Sequence, residues 1–387
     1  MRIAQVCHRY KPILGGVSTY VSQISESLAG RHEIVVLTTD PSGQLPKEET
    51  MNGVSVRRFR SYAPSGAYYY SEGLRKYLTR HSDEFDLVHA HNYHAFPALY
   101  AGLAKRSNPL VFTPHYFGRG VTAFRNVLHV PYRQIAKRVI FGRCDKVICV
   151  SEYEMKLVVR DFGVDQKKVT VMPIGVNLGQ LAGLKRTSNQ LRRRIMFGGR
   201  LVPPKNLDKL IDSMRILLDE HGVDVELKII GSGCMKEKLE RLIKKRMLEN
   251  RVTICRPLPR KEYLVEVGSS DVFVMPSEYE CYGIAAAEAI AIGVPTVVSD
   301  STALREFVGP GLAIGISLPV TPRSIATSIY RALSSGQVIG ERASNTGTAG
   351  VELSDRLVRV YSEVECEWNS RKTWNGKART RHTLSES

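Results

Sequence analysis

Short apolar runs separated by longer helical patterns constrain this chain most. Runs at 2–7, 34–38, 87–90, 110–113, 146–150 and 169–172 have strand length, and amphipathic stretches such as 17–29 and 152–161 lie between them. The same grammar restarts at 195–197, 226–230, 252–255, 272–275 and 296–298, with helical patterns at 206–218, 235–245 and 283–292. Strands alternating with helices predict βαβ units and parallel sheets. A chain of 387 residues is long for a single core, so two restarts predict two doubly wound α/β domains in tandem. The boundaries expected are 1–178 and 190–345. Residues 175–194, with five basic residues, read as a linker. A last helical pattern at 353–366 is expected to pack back on the first domain, and the basic segment 371–387 to be disordered.

In open parallel sheets, ligands bind beyond the carboxyl ends of the strands, so the loops after strands are the places to read. After the first strand comes Lys11-Pro-Ile-Leu-Gly-Gly-Val17, whose paired glycines, Gly15 and Gly16, can bring backbone N–H groups to a phosphate at a helix start. After 195–197 comes Gly198-Gly-Arg-Leu-Val-Pro-Pro-Lys-Asn206, where the fork of Arg200 and the point charge of Lys205 suit a diphosphate. The turn Ile229-Ile-Gly-Ser-Gly233 places Gly231 where a backbone could pass close to a nucleotide. In Ser277-Glu-Tyr-Glu-Cys-Tyr-Gly-Ile-Ala-Ala-Ala-Glu288, Gly283 breaks the chain before a helix. Glu280 then falls in the loop, and Glu288 about one and a half turns inside the helix. Both carboxylates are acceptors and suit sugar and ribose hydroxyls; the simpler alternative for Glu288 is an ion pair within its domain. His115, in Phe112-Thr-Pro-His115, also follows a strand. His89, His91 and His94 have a spacing that invites a metal, but no cysteine joins them and the chain has no Asp-x-Asp, so no metal is expected.

The seven cysteines are scattered and odd in number, which points to reduced thiols and a cytoplasmic protein. No signal peptide or membrane-spanning run is apparent. The formal charge of +17, from 55 basic against 38 acidic residues, favours anionic partners. Residues 119–143 carry six Arg and Lys and no acid, with an amphipathic basic pattern over 132–141, so an anionic membrane face is an expected partner. Four tyrosines, 62, 68, 69 and 70, bunch in a Gly- and Pro-containing loop that could cover a sugar or an interface.

Taken together, these segments resemble the retaining family-4 glycosyltransferases, which have the GT-B fold. "ECYGIAAAEAIAIGVPTVVSD" resembles that family's E-x7-E signature, and "FGGRLVPPKNLDKLIDSM" its Arg/Lys segment. "GGVSTYV", "VICVSEYEMKLV" and "VMPIGVN" resemble three more of its segments in the right order, so the likeness covers about residues 1–345. It implies two Rossmann-like domains facing across a cleft and a nucleotide-diphosphate-sugar donor, UDP-, GDP- or ADP-linked, held mainly by the second domain. It also implies a glycan or lipid-linked acceptor, a hexosyltransferase-type reaction, and no metal or cofactor. Carried over, Arg200 and Lys205 would bind the diphosphate, Glu288 the ribose and Glu280 the transferred sugar. Gly15 and Gly16 would offer N–H groups to the phosphate. His115 would contact the donor sugar, and Gly231, Tyr282, Gly283 and Ile284 would line the donor site. His115, Arg200, Lys205 and Glu280 are the expected catalytic set. Ile174, where many members have Asn, and Cys281-Tyr282, where Gly-Phe is commoner, depart from the family pattern and bear on donor identity. An epimerase or phosphorylase on the same fold stays open as the alternative. A nucleic-acid binder finds no recognisable motif here.

Overall fold

The computed structural model describes residues 1–13, 15–66, 68–118, 131–174, 192–334 and 350–383, and the chain divides into two compact units. The first comprises Met1–Pro173 together with the segment from Val351 onward, and the second Ile174–Gly350.

The first unit is built on an eight-stranded sheet, ordered β3-β4-β2-β1-β5-β6-β7-β8. Its strands are β1 Arg2–Val6, β2 Glu33–Asp40, β3 Glu48–Met51, β4 Val54–Arg60, β5 Leu87–His91, β6 Leu110–Thr113, β7 Lys146–Cys149 and β8 Val169–Val171. All neighbours are parallel except β3, which folds back on β4. That hairpin was not expected, although its turn is written as Asn52-Gly53, both at positive φ (51° and 78°), the pair a two-residue hairpin turn requires. The helix Gly16–Leu28 buries Tyr20, Val21, Ile24 and Leu28, a stripe at helical spacing that packs on the sheet.

The last helix, Gly350–Thr383, returns to this unit. Leu357, Val360, Tyr361 and Val364 are buried, and Arg356 Nη2 donates to the Val171 carbonyl at 3.2 Å. Trp368 Nε1 donates to the Ser107 carbonyl at 3.1 Å, with Lys105 Nζ over its ring at 4.8 Å. The helix runs on to Thr383, so residues 371–383 are helical where their basic composition had pointed to disorder. No proline interrupts them, and charge alone does not break a helix.

The second unit carries a six-stranded, wholly parallel sheet ordered β11-β10-β9-β12-β13-β14. Its strands are β9 Arg193–Gly198, β10 Val225–Ile230, β11 Val252–Cys255, β12 Val272–Met275, β13 Thr296–Ser299 and β14 Ile314–Ile316. Most of the expected linker, residues 175–191, lies outside the described residues. Arg193 and Arg194 belong instead to β9, where they pair in register with Val225 and Glu226. Ile195, Phe197, Leu227, Ile229, Val272 and Val274 form the core with Leu210, Met214 and Leu217 of the helix Leu207–Asp219 and Ile325 and Ile329 of the helix Pro322–Ser334. Among the described residues no helix is long and apolar enough to cross a membrane.

Candidate active site

Every expected site residue lies beyond the carboxyl end of a parallel strand or on the helix that follows it. In the second unit, β9 ends at Gly198 and leads through Arg200 into a short helical turn, Pro203–Lys205. β12 ends at Met275 and leads through the 276–283 loop into the helix Ile284–Ile292. The two loops are tied together. Asn206 Nδ2 donates to the Pro276 carbonyl at 2.8 Å, and the Glu278 N–H to the Pro204 carbonyl at 2.8 Å. That tie brings Lys205 Nζ onto Glu280 Oε1 as an ion pair, both side chains largely buried. The Glu280 N–H donates to Thr302 Oγ1 at 3.3 Å. Arg200 is exposed, and among the described residues no carboxylate pairs with it. Glu278 is exposed and outside this group.

Glu288 sits on a helix that is otherwise apolar and is 1% exposed. Its Oε1 accepts from Arg260 Nη2 at 2.5 Å. Burial pushes the carboxyl up from its ordinary range, and the Arg260 guanidinium pulls it back. The intradomain ion pair is therefore present, and Arg260, on the helix Arg260–Gly268, is a site residue that sequence reasoning missed. Nothing in the primary structure links it to Glu288, 28 residues away. Gly283 caps the Glu288 helix at φ 103°, and a Cβ there would meet Leu304 Cδ2 at 2.6 Å. Tyr282 is buried edge-on to Phe307, with centroids 5.5 Å apart, so it is a wall of this loop. Ile284 opens the helix, whose first N–H groups lack partners within it.

Gly231 has an internal reason to be glycine. A Cβ there would lie 1.8 Å from the Gly199 carbonyl oxygen, so the close approach is of one loop to another. Gly15 and Gly16 differ. A Cβ at Gly16 would meet nothing within 4 Å, and one at Gly15 only Ser18 Oγ at 3.8 Å. No side chain caps the helix they open; Ser18 Oγ donates instead to the Ile13 and Gly15 carbonyls, at 2.7 and 3.0 Å.

In the first unit His115 adopts φ 49° and is 7% exposed, edge-on to Tyr20 with centroids 5.2 Å apart. Its Nε2 is buried without a hydrogen-bond partner among the described residues. Burial holds its pKa down at about 3, so the ring is neutral at pH 7. His89 and His91, adjacent on one face of β5, are spoken for by a polar network. Gln5 Nε2 donates to the Tyr361 hydroxyl at 3.0 Å, leaving that O–H for His89 Nδ1 at 2.6 Å. His89 Nε2 then donates to Thr113 Oγ1 at 2.8 Å, and His91 Nε2 to Gln5 Oε1 at 2.7 Å. His94 stacks on Phe117 at 4.5 Å.

Of the basic segment, residues 119–130 lie outside the described residues. In the part that follows, Ala136, Ile140 and Phe141 are buried in the core of the first unit and Tyr132 packs against it. Much of the apolar side of that pattern faces protein, while Ile135, Lys137 and Arg138 are exposed. The tyrosine loop closes as a bridge between Tyr62 and Tyr70, both exposed, while Tyr69 is buried against His8 at 4.8 Å.

Comparison with known proteins bears on the family and the fold. Residues 14–180 match the family model described as Glycosyltransferase Family 4, and residues 185–350 that described as Glycosyl transferases group 1. An uncharacterized glycosyltransferase of Methanocaldococcus jannaschii is 27% identical over 374 residues, covering 86% of this chain and 89% of that protein. The D-inositol 3-phosphate glycosyltransferase of Kineococcus radiotolerans is 27% identical over 354 residues, covering 81% of each. Among solved structures, sucrose-phosphate synthase of Thermosynechococcus elongatus superposes with a TM-score of 0.73 at 20% identity, over 95% of this chain and 99% of that one. HepE of Anabaena, solved in complex with UDP-glucose, superposes with a TM-score of 0.73 at 18% identity, over 94% of this chain and 100% of its own.

Proposed function

The chain belongs to the family-4 glycosyltransferases of GT-B fold, and on that premise we propose that it moves a sugar, with retention, from a nucleotide-diphosphate-sugar to a glycan or lipid-linked acceptor without a metal. The observation that carries this reading is the charge arrangement after β9 and β12. The exposed Arg200, unpaired among the described residues, stands close in sequence to a Lys205–Glu280 ion pair, and the loop carrying Glu280 leads into a helix N-terminus. A diphosphate is the ligand that such an arrangement suits, since forked and point cations and helix N–H groups all favour it.

Without ligand, Lys205 and Glu280 neutralise each other. A diphosphate that takes Lys205 as its partner frees the Glu280 carboxylate to accept from hydroxyls of the sugar being transferred. Binding and sugar recognition are then one exchange of partners. Glu288 accepts from the ribose, with the Arg260 guanidinium opposing the upward push of burial on its carboxyl. His115, neutral, contacts the donor sugar as a hydrogen-bonding group rather than as an imidazolium acid. The leaving diphosphate, neutralised by Arg200, Lys205 and the helix N-terminus, assists deprotonation of the acceptor in a front-side displacement. Catalysis is chiefly electrostatic stabilisation and positioning. HepE, seen with UDP-glucose, supports a nucleotide-sugar as the ligand class.

Peripheral binding to an anionic membrane rests mainly on charge, because Ala136, Ile140 and Phe141 are used in the core and Ile135 is the exposed large hydrophobic left in the segment among the described residues. Co-sedimentation with anionic vesicles at low salt tests it. The donor reading is tested by a thermal-shift panel of UDP, GDP, ADP and their glucose conjugates, since a ligand of the folded state raises the melting temperature. One base is expected to stand out, with the shift reduced in Lys205→Ala. A flat panel would refute the reading.

A further inference from the structure

Glu154 opens a question that its place in the chain does not answer. It stands three residues after Ser151, the N-cap of the helix Glu152–Phe162, and Ser151 Oγ accepts from the Glu154 N–H at 3.1 Å. In a local capping box the glutamate would turn back to the N-cap N–H. Here it does something longer-ranged. Its Oε1 accepts from the Tyr116 N–H and its Oε2 from the Val150 N–H, both at 2.6 Å. The side chain is wholly buried. One carboxylate thus joins the loop after β6 to the end of β7.

Tyr116 follows His115, a non-glycine residue held at φ 49°. Pro114, on the other side, is pinned as well, its carbonyl accepting from the Tyr93 N–H at 2.7 Å. A left-handed histidine persists only if its surroundings over-determine it. The two bonds flanking it, Tyr93 to Pro114 and Tyr116 to Glu154, supply that determination. Burying a carboxyl group is costly unless it is hydrogen-bonded, and Ser151 already caps the helix, so capping alone does not account for Glu154.

We propose that Glu154 is a positioning residue for His115, fixing the backbone turn that aims its buried Nε2, which has no partner among the described residues. This rests on the reading of His115 given above. The test uses Glu154→Gln in the full chain, which keeps the shape but turns one acceptor into a donor facing an N–H. Turnover is measured with whichever of UDP-, GDP- or ADP-glucose is consumed, alongside NMR of protein labelled at histidine. The expected result is at least a tenfold fall in kcat, less than threefold change in donor KM, and displaced His115 ring resonances with those of His221 unmoved. In a His115→Ala background the same change should cost less than twofold. Wild-type kcat in folded Glu154→Gln, penalties that multiply in the double variant, or unmoved His115 resonances would each overturn the proposal. If His115→Ala alone turns over normally, the donor-contact reading of His115 falls, while the resonance shift still judges the link from Glu154. Should Glu154→Gln fail to fold, Glu154→Asp, too short to span both N–H groups, is read in the same way.

Discussion

Lowering the pH from 7 to 5 should loosen the first unit well before ordinary carboxylates titrate. His89, His91 and His115 are buried there, and burial is the largest cause holding each below the ordinary histidine value of 6.5, at about 3 for His89 and His115. The folded chain keeps them neutral, whereas the unfolded chain protonates them as pH falls below 6.5. Their contribution is therefore complete above that value and is lost towards the folded pKa. At pH 5 each unfolded histidine gains about 2 kcal/mol from its proton, roughly 6 kcal/mol for three. Glu154 works in the opposite sense. Burial pushes it up to about 8, so the folded chain takes up its proton first, which offsets about 3 kcal/mol over the same interval. The net loss, about 3 kcal/mol, is a large part of a typical 5–15 kcal/mol stability. Trp368, whose Nε1 donates to the Ser107 carbonyl, lies on the helix that returns to this unit, so its fluorescence reports the unfolding. In urea the midpoint at pH 5 should fall about 1 M or more below that at pH 7. Equal midpoints, or a higher one at pH 5, would refute the reasoning.

Three substitutions separate packing from ligand roles. Gly231→Ala, whose Cβ would meet the Gly199 carbonyl at 1.8 Å, should destabilise by about 3 kcal/mol or more, read as a lowered melting temperature. Gly16→Ala meets nothing within 4 Å at a helix start, so stability should hold or rise by about 0.5 kcal/mol while donor turnover falls. Arg260→Ala strands a buried carboxylate on Glu288 and should cost about 3 kcal/mol, the low end for a broken buried pair because Arg260 is 34% exposed. Adding Glu288→Gln should recover much of that stability in denaturant melts without restoring donor binding.

The parallel sheets were legible because buried strands bracketed by helices leave a periodic trace. The Asn52-Gly53 hairpin was equally legible and was passed over, since Glu48–Met51 is an exposed edge strand with no apolar alternation. The candidate loops could be placed from strand ends and glycines, but the partners inside them could not. Lys205 meets Glu280 across 75 residues, and Glu288 meets Arg260 across 28, through tertiary packing that no local pattern encodes. Gly231 shows the converse difficulty: its need for glycine comes from a neighbouring loop, and in the primary structure it looks the same as a glycine kept for a ligand. Glu154 sat in a readable S-x-x-E motif, yet besides the Val150 N–H just before its own helix it reaches the Tyr116 N–H, 38 residues away.

The central claim is a sugar leaving a nucleotide diphosphate with retention, on Arg200, Lys205 and Glu280. It is tested most directly by following the anomeric proton of the donor sugar by NMR as the enzyme consumes the donor. The account predicts that the first product keeps the donor's anomeric configuration, and that Arg200→Ala, although folded, slows its appearance at least a hundredfold, about 2.7 kcal/mol of transition-state stabilisation. A first product of inverted configuration, or an Arg200→Ala enzyme turning over at the normal rate, would contradict it.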